Sequence, residues 1–149
     1  MANNKWRIKE AVKIAEEAGL KALRTGAEAI LTEAIDEAPV ETGTLRRSGT
    51  VTVGSLPENP GQIHQDSLPP KKGGSGKEHK KAFPEPVGKE KAVYISFNTP
   101  YARRQHEELG YEHPRGGKAK YLEDPFNRLK KKVVKMAELR IKKALRDAK

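Results

Sequence analysis

Four histidines, His64, His79, His106 and His113, stand among carboxylates in this chain, and they are the first candidates for chemistry. A metal needs donors that converge on one point, yet no two of these histidines have useful helical spacing, and His64 and His79 lie in a polar, proline-containing stretch. His106, Glu107 and Glu108 are consecutive, so on a helix they would point in different directions. Solvated histidines are therefore expected rather than a metal centre. Nucleophilic catalysis finds no better material: there is no cysteine, no serine elbow with the G-x-S-x-G glycine spacing, and no serine followed by a suitable acid and histidine. The run GGSG at 73–76 has the glycines of a phosphate loop but neither its Gly-Lys-Ser/Thr ending nor a strand-to-helix setting. No catalytic residue, cofactor site or metal site is assigned, and a non-enzyme is expected.

Charge offers more. The chain of 149 residues carries a net charge of +10, with an isoelectric point near 9.8. Residues 125–149 alone hold ten basic and two acidic side chains. Lys130, Lys131, Lys132, Lys135, Lys142, Lys143 and Arg146 form a basic face there that could meet nucleic acid, an acidic protein surface or only water. Only 5% of the residues are aromatic and none is interleaved with the basic run, so any DNA contact would be nonspecific and made to phosphates. The absence of cysteine agrees with assembly in a reducing cytoplasm. No apolar run reaches the roughly 20 residues a membrane span requires.

Mean hydropathy is low, at -0.82, so the core must be modest and carried by periodic segments. Residues 5–38 read as one long helix, because Ile8, Val12, Ala15, Gly19, Ala22, Gly26, Ile30 and Ala34 step by three and four along a narrow face of small residues. Such a helix would be about 50 Å long; two helices broken near Gly19 or Gly26 are the alternative. Pro39 must end it. The following turn contains Gly43, where a positive φ would be cheap only for glycine, and residues 45–54 then alternate as a strand, with Leu45, Gly49, Val51 and Val53 on one face. From Leu56 to Glu90, six prolines and the GGSG run leave no periodicity, which predicts an extended loop or arm inserted in a single domain spanning 1–149.

Alternation returns at Ala92–Phe97, a strand expected to pair antiparallel with the first. Asn98 or Thr99 as cap, Pro100 at the first helical position and Gly110 beyond the last turn then predict a short helix with Tyr101, Ala102, Gln105 and Leu109 on one side. A third short strand is expected at Ala119–Leu122. Asp124 and Pro125 should open a terminal helix whose apolar stripe runs through Phe126, Leu129, Val133, Met136 or Ala137, Ile141 and Ala144 or Leu145. The fold class is α+β, with a small, mainly antiparallel sheet covered on one face by helices.

The succession APVETGTLRRS at 38–48, a strand, an insertion, TPYA at 99–102, HEELG at 106–110 and KYLEDPF at 120–126 resembles the neck, minor-capsid or tail-completion proteins of long-tailed bacteriophages. The likeness covers about three-quarters of the chain; Phe126, where a small residue often follows the proline, and the long insertion depart from it. The resemblance implies a structural protein of the virion, made in the host cytoplasm, forming a sixfold or twelvefold ring at the head–tail junction beside other connector and tail proteins. Carried over to this sequence, the motif positions would be Thr42, Gly43, Leu45, Arg46 and Ser48 at the turn, then Tyr101, Ala102, Glu107 and Gly110. Leu45 and Tyr101 would be core and the glycines backbone punctuation, whereas Arg46, Arg47 and Glu107 would make subunit contacts. Within the arm, Ile63, Leu68, Phe83 and Val87 are the apolar anchors available to a neighbouring subunit. The runner-up reading is a small basic DNA-binding protein that uses its C-terminal helix.

Overall fold

A computed structural model describes residues 2–40, 43–55, 91–97, 99, 102–113 and 116–148. The elements are α1 (Ala2–Glu37), α2 (Thr44–Arg47), β1 (Gly49–Val53), β2 (Val93–Phe97), α3 (Ala102–Glu107) and α4 (Glu123–Asp147). The protein is α+β. The arm at 56–90, with Ile63, Leu68, Phe83 and Val87, lies outside the described residues, as do Thr42 and Tyr101.

The long helix is continuous, and its glycines have a purpose other than breaking it. Helix α4 runs antiparallel to α1, with Ile141 against Gly19, Val133 against Gly26, and Arg128 at Glu33 and Glu37. A Cβ on Gly26 would sit 2.3 Å from Val133 Cγ1, and one on Gly19 3.1 Å from Ile141 Cδ1. These glycines are holes that receive the branched side chains of α4 and let the two axes approach. Ala22 and Ala34 are buried on the same helix.

β1 and β2 form a two-stranded antiparallel sheet in which Gly49 faces Phe97, Val51 faces Ile95 and Val53 faces Val93. These alternate positions lie on the face that packs on Ala27, Leu31 and Ile35 of α1. A second cluster joins Ala38, Leu45, Ala102 and Tyr121, with Phe97 touching it and linking the two. Tyr121 is among the largest fully buried side chains. Its ring meets those of Phe97 and His106 edge-on, and its hydroxyl donates to Ala102 O at 2.9 Å.

Four expectations are corrected. The strand begins at Gly49 rather than residue 45, because Thr44–Arg47 make one helical turn after Gly43. Residues 119–122 form a turn, not a third strand: Lys120 takes φ 56, its N–H bonds His106 O at 2.8 Å, and Asp124 N bonds Lys120 O at 3.0 Å. Helix α4 starts at Glu123 without a side-chain cap, and Asp124 instead accepts from Lys118 Nζ at 2.7 Å. Phe126 is 46% exposed and leaves the apolar stripe, while the neighbouring Pro125 is buried.

Candidate assembly site

The turn after α1 is built around one backbone requirement and one side chain. Gly43 takes φ 77 and ψ -6, with open space where a Cβ would stand. The demand is therefore conformational rather than steric, and Gly43→Ala should lower stability by about 1–2 kcal/mol, read as a fall in melting temperature. Past the turn, Ser48 Oγ donates to Leu45 O at 2.7 Å, and Leu45 is buried.

Arg46 folds back on α1. Its Nε donates to Ala38 O and an Nη to Asp36 O, both at 2.9 Å, while Lys118 N donates to Glu37 O at 2.9 Å. Three carbonyls at the helix end, which have no partners inside the helix, are thus satisfied, and a cation stands where the helix dipole favours it. Burial lowers the Arg46 pKa, an effect that nearby Asp36 opposes. Arg46→Met should cost about 1–3 kcal/mol through the lost charged hydrogen bonds; an unchanged denaturant midpoint would show that the cap is dispensable. Arg47, by contrast, makes a long contact of 3.4 Å to Thr44 Oγ1, and its Nε is buried with no partner among the described residues.

The segment after α3 is the third part of this junction. Val40 N donates to Gly116 O at 3.2 Å, and a Cβ on Gly117 would lie 2.4 Å from Pro39 Cα. The backbone of 116–118 therefore lies directly against the end of α1. This close approach, with φ near 95 at Gly117, needs glycine.

Around His106 the structure gathers Glu107 and Glu123, bringing ligand-type atoms within 4.8 Å of one another. This set differs from the consecutive trio considered in the sequence, because Glu123 arrives from the first turn of α4. It already holds a cation: Lys120 Nζ lies 2.7 Å from Glu107 Oε2 and 3.0 Å from Glu123 Oε2. Both ring nitrogens are also engaged, with Nε2 accepting the Glu123 N–H at 3.2 Å and Nδ1 2.7 Å from Glu107 Oε1. Lys120 and then His106 hold the Glu107 carboxyl below its ordinary pKa, and Glu107 raises that of Lys120. The arrangement is an ion-paired brace between α3, the turn and α4. Its pairs are exposed, so their effect is on position more than on stability.

Beside this brace, Val93, Tyr94, Ile95, His106, Leu122, Glu123 and Phe126 line an open groove of about 360 Å³. The lysines at 130, 131, 132, 135, 142 and 143, with Arg146, are all exposed along α4. Lys142 pairs with Glu138, Arg146 lies 4.0 Å from Asp147, and Lys130 donates to Asn127. Ala102 is buried, whereas Gly110 has neither a positive φ nor a close neighbour, so nothing in its geometry demands glycine. Leu109, expected on the packed side of the short helix, is 77% exposed because α3 ends at Glu107.

The residues that hold the junction together were not all visible in the sequence. Tyr121, Lys120, Arg128 and Gly117 had no assigned role there, since Tyr121, Arg128 and Gly117 act on partners far away along the chain, and Lys120 joins nearby Glu123 to the more distant Glu107. No helix among the described residues is long and apolar enough to cross a membrane. Comparison with known proteins gives no match among curated proteins or solved structures. The family described as bacteriophage HK97-gp10, tail-component, matches residues 5–103, from the start of α1 through the sheet and into α3. With most of its length so matched, the chain belongs to the HK97-gp10-like family of bacteriophage tail components.

Proposed function

We propose that this structural virion protein forms a sixfold or twelvefold ring at the head–tail junction, joining head to tail beside other connector and tail proteins. The observation that carries this reading is the family match over α1, the Gly43 turn and both strands. Three further features support it. Arg47 is half-buried at the turn with a long contact to Thr44 Oγ1, and Glu107 stands exposed at the brace, which suits both to subunit contacts. The two-stranded sheet is small for an independent unit and gains from neighbours. Residues 56–90 have the length and composition of an assembly arm, with Ile63, Leu68, Phe83 and Val87 as anchors. Native mass measurement and electron microscopy of the purified protein test the ring: a closed oligomer supports it, and a monomer at every concentration and in the presence of connector proteins overturns it. A deletion joining Ser55 to Lys91 is expected to fold normally yet fail to join heads to tails in an infection assay.

A second reading, nonspecific DNA binding, rests on the exposed lysines 131, 132, 135 and 143, which have no ion pair among the described residues. A salt-dependent gel shift of random duplex, lost in the variant with these four lysines changed to glutamine, would favour it.

A further inference from the structure

The outer edge of β2 is open among the described residues. Gly54 N donates to Ala92 O at 2.8 Å, and the register continues with Thr52 opposite Tyr94 and Thr50 opposite Ser96. Bonded and unbonded pairs alternate along an antiparallel ladder, so these pairs exchange the bonds while Val93 and Ile95 turn their N–H and C=O groups away from β1. No described strand lies on that side. The groove beside the His106 brace follows this edge. Val93 and Ile95 send their side chains toward α1 and Tyr94 the opposite way, so a groove touching all three runs along the strand rather than over one of its faces. Leu122 and Phe126 wall it opposite the strand, and Phe126 is exposed. Unpaired backbone groups beside an apolar wall are the receiving half of a strand addition.

The sequence of the arm contains a segment with the matching pattern. Successive N–H groups of an extended chain point to opposite edges, so Phe83, Pro84, Glu85, Pro86 and Val87 would carry three N–H groups on one edge and only prolines on the other. Such a strand pairs on one side alone and closes the sheet it joins. Phe83, Glu85 and Val87 also share a face, which directs two apolar side chains at Leu122 and Phe126 and leaves Glu85 between them at the open mouth of the groove.

We propose that Phe83–Val87 of one copy adds as a strand to the outer edge of β2 in the neighbouring copy. This rests on the ring reading and gives the arm its seat. The chain's own segment fits the edge less well, because Lys91 pairs with Glu16 of α1 and Ala92 is still in the ladder, so the strand remains extended there. Any reversal must come before Lys91, which puts Val87 opposite Lys91 or in the turn itself, short of the groove. The segment of another copy can seat both anchors. Four residues separate Val87 from Lys91, so the receiving groove must lie within about 14 Å of the donor's Lys91. That reach limits how adjacent copies can approach.

The absence of cysteine makes the test direct. Glu85→Cys and Phe126→Cys, which leave Phe83 and Val87 in place, are made singly and together, and oxidised in the purified oligomer and in assembled particles. A disulfide dimer is expected from the two single variants mixed before assembly, and a covalent ladder from the double variant. Phe83→Ser should raise the concentration needed for assembly about tenfold while leaving the melting temperature unchanged. Glu85→Pro should do the same, since it keeps both anchors and removes one backbone donor to the edge. A disulfide formed only within single chains of the double variant would overturn the exchange between copies, and assembly unaffected by Glu85→Pro would overturn the strand pairing. Oligomers that form without any of these crosslinks would overturn the site and leave the ring standing. Absence of any oligomer, in solution or in particles, would overturn both.

Discussion

Replacing Gly26 with valine is expected to lower stability by about 3 kcal/mol or more, a large part of what a domain of this size has to lose. The first added carbon alone would lie 2.3 Å from Val133 Cγ1 and 2.8 Å from Cγ2. Val133 cannot swing aside, since a β-branched side chain on a helix has essentially one rotamer. The clash must therefore be relieved by separating α1 from α4, which also loosens Ile141 over Gly19 and the Arg128 pairs to Glu33 and Glu37. The opposing term is helix propensity, since glycine inside a helix costs about 1 kcal/mol relative to alanine. The Val133 contact sets a check on the mechanism. In a Val133→Ala background both methyls are gone and only the Cβ of residue 133 remains, 3.0 Å from the added carbon, so Gly26→Ala should cost much less there than beside Val133. Destabilisation of equal size in both backgrounds, measured by denaturant unfolding, would show that Gly26 matters for some reason other than the seat of Val133.

The same glycines show where reading the sequence stops. The stripe from Ile8 to Ala34 is written in three-and-four spacing, and α1 follows from it, with a buried face at Gly19, Ala22, Gly26, Ile30 and Ala34, whereas Ile8 and Val12 are exposed. Alternation at 49–53 and 93–97 likewise gives both strands and the face they bury. What the spacing could not tell is whether Gly19 and Gly26 break the helix or admit a neighbour, because that depends on residues more than a hundred positions away. Arg46 poses the same difficulty. Its type and its place after a helix suit a C-terminal cap as well as a subunit contact, and only the chain reversal at Gly43 brings the guanidinium to Ala38 O and Asp36 O. At 119–122 the short apolar pattern misled, because Tyr121 and Leu122 are packed by a turn whose shape comes from Lys120 at positive φ and its bond to His106 O. The brace at His106 could be found only in part. The consecutive acids were visible, but the partners that matter, Lys120 and Glu123, come from the next element.

Tyr121→Ala is expected to be the most damaging single change, at about 3–5 kcal/mol, the range for removing a large buried aromatic. Tyr121 is 1% exposed and is shared by Ala38, Leu45 and Ala102, with Phe97 and His106 meeting its ring at 5.0 and 5.1 Å between centroids. Its loss would open a cavity where α1, the Gly43 turn, β2 and α3 converge, and no single neighbour can move in to fill it without leaving another contact. The hydroxyl can be separated from the ring. Tyr121→Phe keeps the packing and removes only the donor to Ala102 O, which should cost about 1–1.5 kcal/mol. That carbonyl lies in the first turn of α3, so the smaller change should loosen α3 and the His106 brace selectively, seen as faster amide exchange through 102–107 with the core of α1 unaffected. If the phenylalanine variant is as unstable as the alanine variant, the hydrogen bond rather than the ring organises the junction. If neither loses stability, the second cluster is not what joins the α1–α4 hairpin to the sheet.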